Sequence, residues 1–398
     1  MSSGKGILFT PAELKRITLP NRFVRSATYE GYADGDGIVS GGLADAYREL
    51  AGSGTGTIIT GFCYVSRQGR AMHPGQAGID REECTKAWAG IIERVRKVNP
   101  KTKLIMQIAH AGRQTLSKVT GCDVVSPGEK RCGYFRQRVR ALSSCQIKRI
   151  IEDFAKAGRR AMRAGFDGIQ VHAAHGYLIH QFLSRDTNTR SDRWADRNLF
   201  LIEVLKAIRD RCGEDFPVLI KLSHSDDGSL TTEDTIETVN AAADYIDAAE
   251  ISYGTMEYAL NIFRGGCDVD TVLKVNPLFN RMPGFVRWLW KKRRMNGYLE
   301  RFKPFSVNYN LDAAVKIAGH TDVPVIPVGG IRNLKSMTDI IAVKSLAAVS
   351  LCRPFICEPG LVNEIDKGIW RESKCTNCNL CAVHCDSNNS LRCYYDHE

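Results

Sequence analysis

Eight short apolar runs, each parted from the next by a stretch of helical character, limit what this 398-residue chain can become. The runs are Phe23–Ser26, Gly56–Thr60, Lys103–Gln107, Gly168–His172, Val218–Lys221, Ala248–Ser252, Val323–Val328 and Ala347–Leu351. Several are apolar almost throughout, as strands buried on both faces must be. Helical segments lie between them, among them Cys84–Val98, Ser144–Ala164, Asp196–Arg211, Thr231–Asp244, Leu311–Ala318 and Leu334–Ala342. Thr232 before Glu233 and Asp234 marks a helix start. Such alternation predicts an α/β protein with a parallel sheet, and eight units predict a closed (β/α)8 TIM barrel. An open doubly wound sheet is the alternative, but no Gly-x-Gly-x-x-Gly follows an early strand.

Two regions exceed a minimal barrel. Residues 253–310 part the sixth and seventh strands, far more chain than a βα loop needs. Residues 366–398 follow the last helix and are rich in cysteine. The expected organisation is a barrel over 1–365, interrupted by that insertion, and a separate tail over 366–398. Residues 285–305 of the insertion interleave aromatics with cations. They read as a lid with cations for an acidic or CoA-type substrate, as a membrane-surface contact, or as a cover helix with a solvated face.

With 43% hydrophobic and 25% charged residues, the chain has an ordinary globular composition. No apolar run is long enough to predict a membrane span, and the start lacks the apolar core of a signal peptide, so a cytoplasmic location is expected. Basic residues outnumber acidic ones by 55 to 44. They are dispersed except for Lys291–Arg294, so a small anionic ligand or plain solvation fits better than nucleic acid.

The chemistry concentrates at the carboxyl end of the fourth run, where barrel active sites lie. His172, His175 and Tyr177 stand close enough in sequence to converge on one small ligand. Imidazoles can donate to a carbonyl oxygen and stabilise charge that develops there. A phenol is a neutral proton source near pH 7. A zinc pair and two structural histidines are the alternatives, though no third ligand follows at metalloprotease spacing.

The segment His172–Arg190 resembles the old yellow enzyme family of FMN-dependent ene-reductases. So do Asn21–Val24, Gln107–Arg113, Pro327–Ile331 and Arg353–Ile356, in the expected order over roughly residues 7–365. The resemblance implies that His172 and His175 hold a substrate carbonyl over the flavin, and that Tyr177 protonates the α-carbon. It implies FMN contacts from Ala27, Thr28, Gly61, Gln107, Lys221, Gly329, Gly330, Cys352 and Arg353. Gln107 would pair with the pyrimidine edge, Lys221 would stand near N1 and the C2 carbonyl, and the last four would cradle the phosphate. Tyr29 falls where relatives carry a Thr or Cys, unless a one-residue shift brings Thr28 there. Reduction of an activated C=C bond of an α,β-unsaturated carbonyl compound, with NADH or NADPH as reductant, is the implied activity.

Fourteen cysteines are many, and five lie between Cys375 and Cys393. Clustered thiols in a chain with no export signal point to a metal. Cys375, Cys378, Cys381 and Cys385 have the spacing of a bacterial ferredoxin motif, with Asp386 where a proline usually follows. A four-thiolate zinc site and a tail without metal are the alternatives. The tail also resembles the iron–sulfur segment of 2,4-dienoyl-CoA reductases and trimethylamine dehydrogenases. By that pattern Cys375, Cys378, Cys381 and Cys393 hold a 4Fe-4S cluster, and Cys385 is a spare or a competitor. An electron-exchanging enzyme of that type is the second functional expectation, with a ferredoxin-like partner feeding the cluster. Because Glu398 closely follows Cys393, no further nucleotide-binding domain is expected. The oligomeric state is left open.

Overall fold

The computed structural model describes residues 4–276, 279–295, 302–387 and 389–395. Eight parallel strands form the expected barrel: β1 (Phe23–Arg25), β2 (Thr57–Ile59), β3 (Lys103–Ala109), β4 (Gly168–Ala173), β5 (Val218–Ser223), β6 (Ala248–Ser252), β7 (Val325–Pro327) and β8 (Val349–Leu351). Each strand from β1 to β7 pairs with the next, and β8 pairs with β1. Between β7 and β8 the ring closes through one parallel bridge, Val328 to Ser350, and a hydrogen bond from Ala347 N–H to the Val325 carbonyl. β7 is shorter than its apolar run because Pro324 and Pro327 each remove a ladder donor.

The outer helices are α1 (Gly41–Gly52), α2 (Glu82–Arg96), α3 (Ser144–Ala164), α4 (Leu199–Cys212), α5 (Thr232–Ala242), α6 (Leu311–Ala318), α7 (Leu334–Ala342) and α8 (Leu361–Asp366). Their ends follow local rules. Ser143 accepts from Gln146 N–H while the Gln146 side chain accepts from Ser143 N–H, and Gly165 at φ 99° ends α3. Thr231 and Asp234 form the same reciprocal cap on α5, which starts at Thr232 as expected.

Two layers of apolar side chains fill the molecule. The larger lies between strands and helices, and the smaller fills the barrel's lower interior with Val24, Ile59, Ile105, Leu219 and Ile326. The hairpin of Ala12–Glu13 and Thr18–Leu19 plugs that end. At the opposite, carboxyl end the interior turns polar.

The insertion contributes short helices at Ala259–Phe263, Val269–Val275 and Gly284–Trp290. Part of the segment 285–305, residues 296–301, lies outside the described residues. Within the described part, Phe285 and Trp288 face solvent, Lys292 lies over the Trp288 ring, and Lys291 pairs with Asp270. The tail folds back across the barrel mouth. Arg332 holds it through the carbonyls of Ser373 and Cys375, and Leu391 N–H donates to the Glu30 carbonyl. Among the described residues no helix is long and apolar enough to cross a membrane.

Candidate functional site

The carboxyl ends of the strands open into a cleft with about 1330 Å³ of empty space. Ala27, Thr28, Gln107, His172, His175, Lys221, Gly329, Gly330, Cys352 and Arg353 all line it. These residues are spread over more than 300 positions of sequence, and the barrel brings them together because each stands at the top of a strand or just beyond it.

Beneath the cleft runs a buried polar network. The Lys221 ammonium lies 3.2 Å from the Glu250 carboxylate and donates to the Ser26 hydroxyl at 2.9 Å. Glu250 also accepts from Ser26, Ser350 and the Gln170 amide, and the Gln170 oxygen accepts from the Gln107 amide at 2.7 Å. Burial pushes the Glu250 carboxyl up, but Lys221 and these hydrogen bonds outweigh it and leave the group below the usual range. Glu250 and Gln170 are fully buried, and sequence reasoning missed both. The signal was present: a lone acid in Ala248–Ala249–Glu250–Ile251 has no place inside a barrel without a counter-charge.

On the cleft's other side His172 and His175 meet, and Tyr177 packs behind them on the wall of an adjoining chamber. The His172 ring lies 5.1 Å from His175 and 5.0 Å from Tyr177, centroid to centroid. His175 adopts φ 59° and contacts the Ser252 hydroxyl at 2.8 Å. Burial, followed by Lys221 for His172 and by His172 for His175, lowers both imidazoles well below the ordinary histidine range. They are therefore neutral near pH 7. His172 Nδ1 is buried without a hydrogen-bond partner among the described residues, so it is free to meet a ligand in the cleft. Burial likewise pushes the Tyr177 phenol up, so it stays protonated. A third imidazole, His110, is pushed down to about 3 by burial alone, and its Nδ1 accepts from Gly112 N–H.

These buried neutral imidazoles set a pH dependence. Their folded pKa values are depressed, so the unfolded chain binds more protons as pH falls through the ordinary histidine value, and stability falls with it. Acidification from about pH 7 to about pH 5 should cost roughly 2 kcal/mol per imidazole. Urea titrations at the two pH values check it, and an unchanged unfolding free energy would show that the fold admits the charged rings.

Tyr29 and Thr28 both line the cleft, with different neighbours. Thr28 lies 3.1 Å from the Cys352 sulfur. The Tyr29 ring stacks on Phe62 and approaches His73 to 4.6 Å. Gly61 does not line the cleft. It sits beneath Thr28, its N–H donating to Glu30, and a Cβ there would meet the Glu30 carboxylate at 2.6 Å. Phe62, the next residue, takes the exposed position.

The end of the cleft toward β7 and β8 is cationic. Gly329 and Gly330 hold φ values of 126° and 77°, and a side chain on either would strike Tyr309. Arg353 donates to the Arg264 carbonyl and to the Asn379 amide oxygen. Its guanidinium therefore leans toward the tail as well as the glycines. Arg332 and Arg353 flank the Phe305 ring at 5.7 and 5.6 Å. Arg332 was not read from the sequence, although it lies two residues past Gly330.

Next to this end lies a smaller cavity of about 310 Å³, walled by Cys357, Cys375, Cys378, Cys381 and Cys393. Cys375, Cys381 and Arg353 line both it and the main cleft. Cys385 is not in this wall: its buried sulfur lies beside the Tyr29 carbonyl. Cys357, just beyond the Arg353–Pro354–Phe355 turn, joins the group and was not expected there. No disulfide forms among the described cysteines, and no three metal-binding side chains among the described residues close on a single ion.

Comparison with known proteins agrees with this architecture. The chain is 29% identical over 379 residues to an NADH oxidase of Thermoanaerobacter brockii, covering 94% of itself and 53% of that protein. It is 32% identical to an NADPH dehydrogenase of Listeria welshimeri over 62% of this chain and 73% of the relative. The chain thus spans about half the length of the first of these. An old yellow enzyme homologue of Zymomonas mobilis superposes with a TM-score of 0.72 at 21% identity, over 96% of this chain and 99% of the homologue. Residues 7–260 match the NADH:flavin oxidoreductase / NADH oxidase family, and with that match joined to the barrel just described, the chain belongs to this FMN-dependent oxidoreductase family.

Proposed function

We propose that this protein reduces an activated C=C bond of an α,β-unsaturated carbonyl compound, and that the cleft is its FMN site. The observation that carries the reading is the meeting of His172 and His175 beside Gln107 and Lys221 in one cleft, with the Tyr177 ring 5.0 Å behind His172. The fit to FMN rests on the chain's own groups. Gln107 is pinned by Gln170 and presents a fixed amide to a ring edge. Lys221 supplies a held cation, and Gly329–Gly330 with Arg332 and Arg353 supply a close backbone and positive charge for a phosphate. When bound, FMN supplies the hydride, from N5, after taking it from NADH or NADPH.

The chain's own part is to hold and polarise. His172, with its unpartnered nitrogen, and His175 donate to the substrate carbonyl as neutral imidazoles, so the developing charge meets N–H dipoles rather than a mobile proton. Tyr177 then gives its proton to the α-carbon. Ala27, Thr28 and Cys352 line the same cleft and would pack along a bound flavin.

We assign Cys375, Cys378, Cys381 and Cys393 to a 4Fe-4S cluster. Their shared cavity supports it. Such a cluster would exchange single electrons with a ferredoxin-like donor.

One preparation tests both parts. Anaerobically purified protein should be coloured, with extractable FMN and with iron and acid-labile sulfide in equal amounts. Enones should reoxidise its reduced flavin, and small amines should leave its oxidised flavin unreduced. Zinc without sulfide would remove the cluster, and reduction by amines without reoxidation by enones would turn the reading toward amine dehydrogenation.

A further inference from the structure

A phenol that gives away its proton inside a protein must recover it before the next turnover. Tyr177 is 2% exposed. Burial raises its pKa beyond the ordinary tyrosine range, and the Asp386 carboxylate adds to this, so a lingering phenolate there is costly. His172 and His175 are neutral and have no proton to return near pH 7.

Another group stands on the same wall. Behind Tyr177 lies a second chamber with about 990 Å³ of empty space, lined by Tyr177, His73, Gln114 and Asp386 among others. His73 and Asp386 line the main cleft as well, so they stand where the two spaces join. His73 Nδ1 lies 3.0 Å from Asp386 Oδ1. The His73 ring is 5.4 Å from Phe62, whose ring meets Tyr177 edge-on at 5.5 Å. His73 is 5% exposed, whereas the Asp386 side chain is 39% exposed and reaches solvent.

We propose that His73, which lies beside Asp386, is the relay that returns a proton to Tyr177 after each reduction, across water in the second chamber. This rests on Tyr177 being the proton donor. The step balances without electron transfer: an imidazolium N–H bond breaks, a phenol O–H bond forms, and the imidazole is recharged from solvent at the Asp386 side. Histidine suits the task because its unperturbed pKa lies near neutrality. The chamber is wide enough for several waters and is walled partly by polar groups, as bridging waters require. The charges around His73 are few. Asp386 faces it from the tail, Tyr29 from the loop after β1, and Tyr177 from the loop after β4, while the Cys385 thiol points to the Tyr29 carbonyl and the Arg70 guanidinium to the carbonyls of Gly35 and Pro74. The other titratable side chains in the chamber wall are Tyr134 and Cys267, and burial raises the Cys267 thiol.

The test uses the full-length FMN-loaded protein with His73→Gln and Asp386→Asn. FMN reduction by NADH and reoxidation by an enone are followed separately by stopped flow, and His73 is titrated by NMR. In the parent protein, enone turnover should fall as pH rises through the His73 titration. His73→Gln should abolish that limb, slow turnover by about tenfold or more, and recover when imidazole is added. Asp386→Asn should slow the same half-reaction as His73→Gln. Equal loss at every pH without imidazole rescue, or an unchanged profile, overturns the relay. If Tyr177→Phe slows turnover while His73→Gln does not, only the relay fails. If Tyr177→Phe is silent, the parent reading fails.

Discussion

Tyr177→Phe should retain FMN reduction by NADH yet lose about a hundredfold to ten-thousandfold in enone turnover, the usual worth of a positioned general acid. The substitution removes one hydroxyl from a buried ring whose Phe62 and His172 contacts are made by the ring itself. Packing survives, and the loss falls on proton delivery. Stopped-flow measurement of the two half-reactions separates these outcomes, and unaffected reoxidation by the enone would remove Tyr177 from the mechanism.

The second large effect is on folding. Lys221→Met strands the Glu250 carboxylate, which is fully buried, without its counter-charge. Leaving one member of a buried ion pair alone costs about 3–5 kcal/mol. Adding Glu250→Gln should restore most of this, because the amide can keep partners among Ser26, Ser350 and Gln170 without a charge. Urea midpoints of the single and double variants decide it. A single variant as stable as the parent would mean that Glu250 takes up a proton or admits water. The restored double variant should still bind FMN less tightly, since the held cation is gone.

Much of this was legible along the chain because it depends on neighbours in sequence. Strand and helix alternation, the His172–Tyr177 spacing and the cysteine spacing are local patterns, and each set its own expectation. Gly61 shows the limit of such patterns: sequence places it at the top of β2, and only the fold sets Phe62 rather than Gly61 on the cleft wall. Glu250 showed as an oddity in an apolar strand, yet its partner lies on β5 and its hydrogen bonds come from β1, β4 and β8.

By its residue order alone, the chain determined that it would form eight βα units and that His172, His175, Tyr177, Gln107 and Lys221 would stand at one end of them. Only closure of the ring decided that Lys221 would face Glu250, and only the fold of the tail decided that Cys357 would join Cys375–Cys393 or that Asp386 would meet His73. The physical reason is distance along the chain: propensity and periodicity act over a few residues, whereas these contacts form when burial of the whole apolar core draws remote segments together.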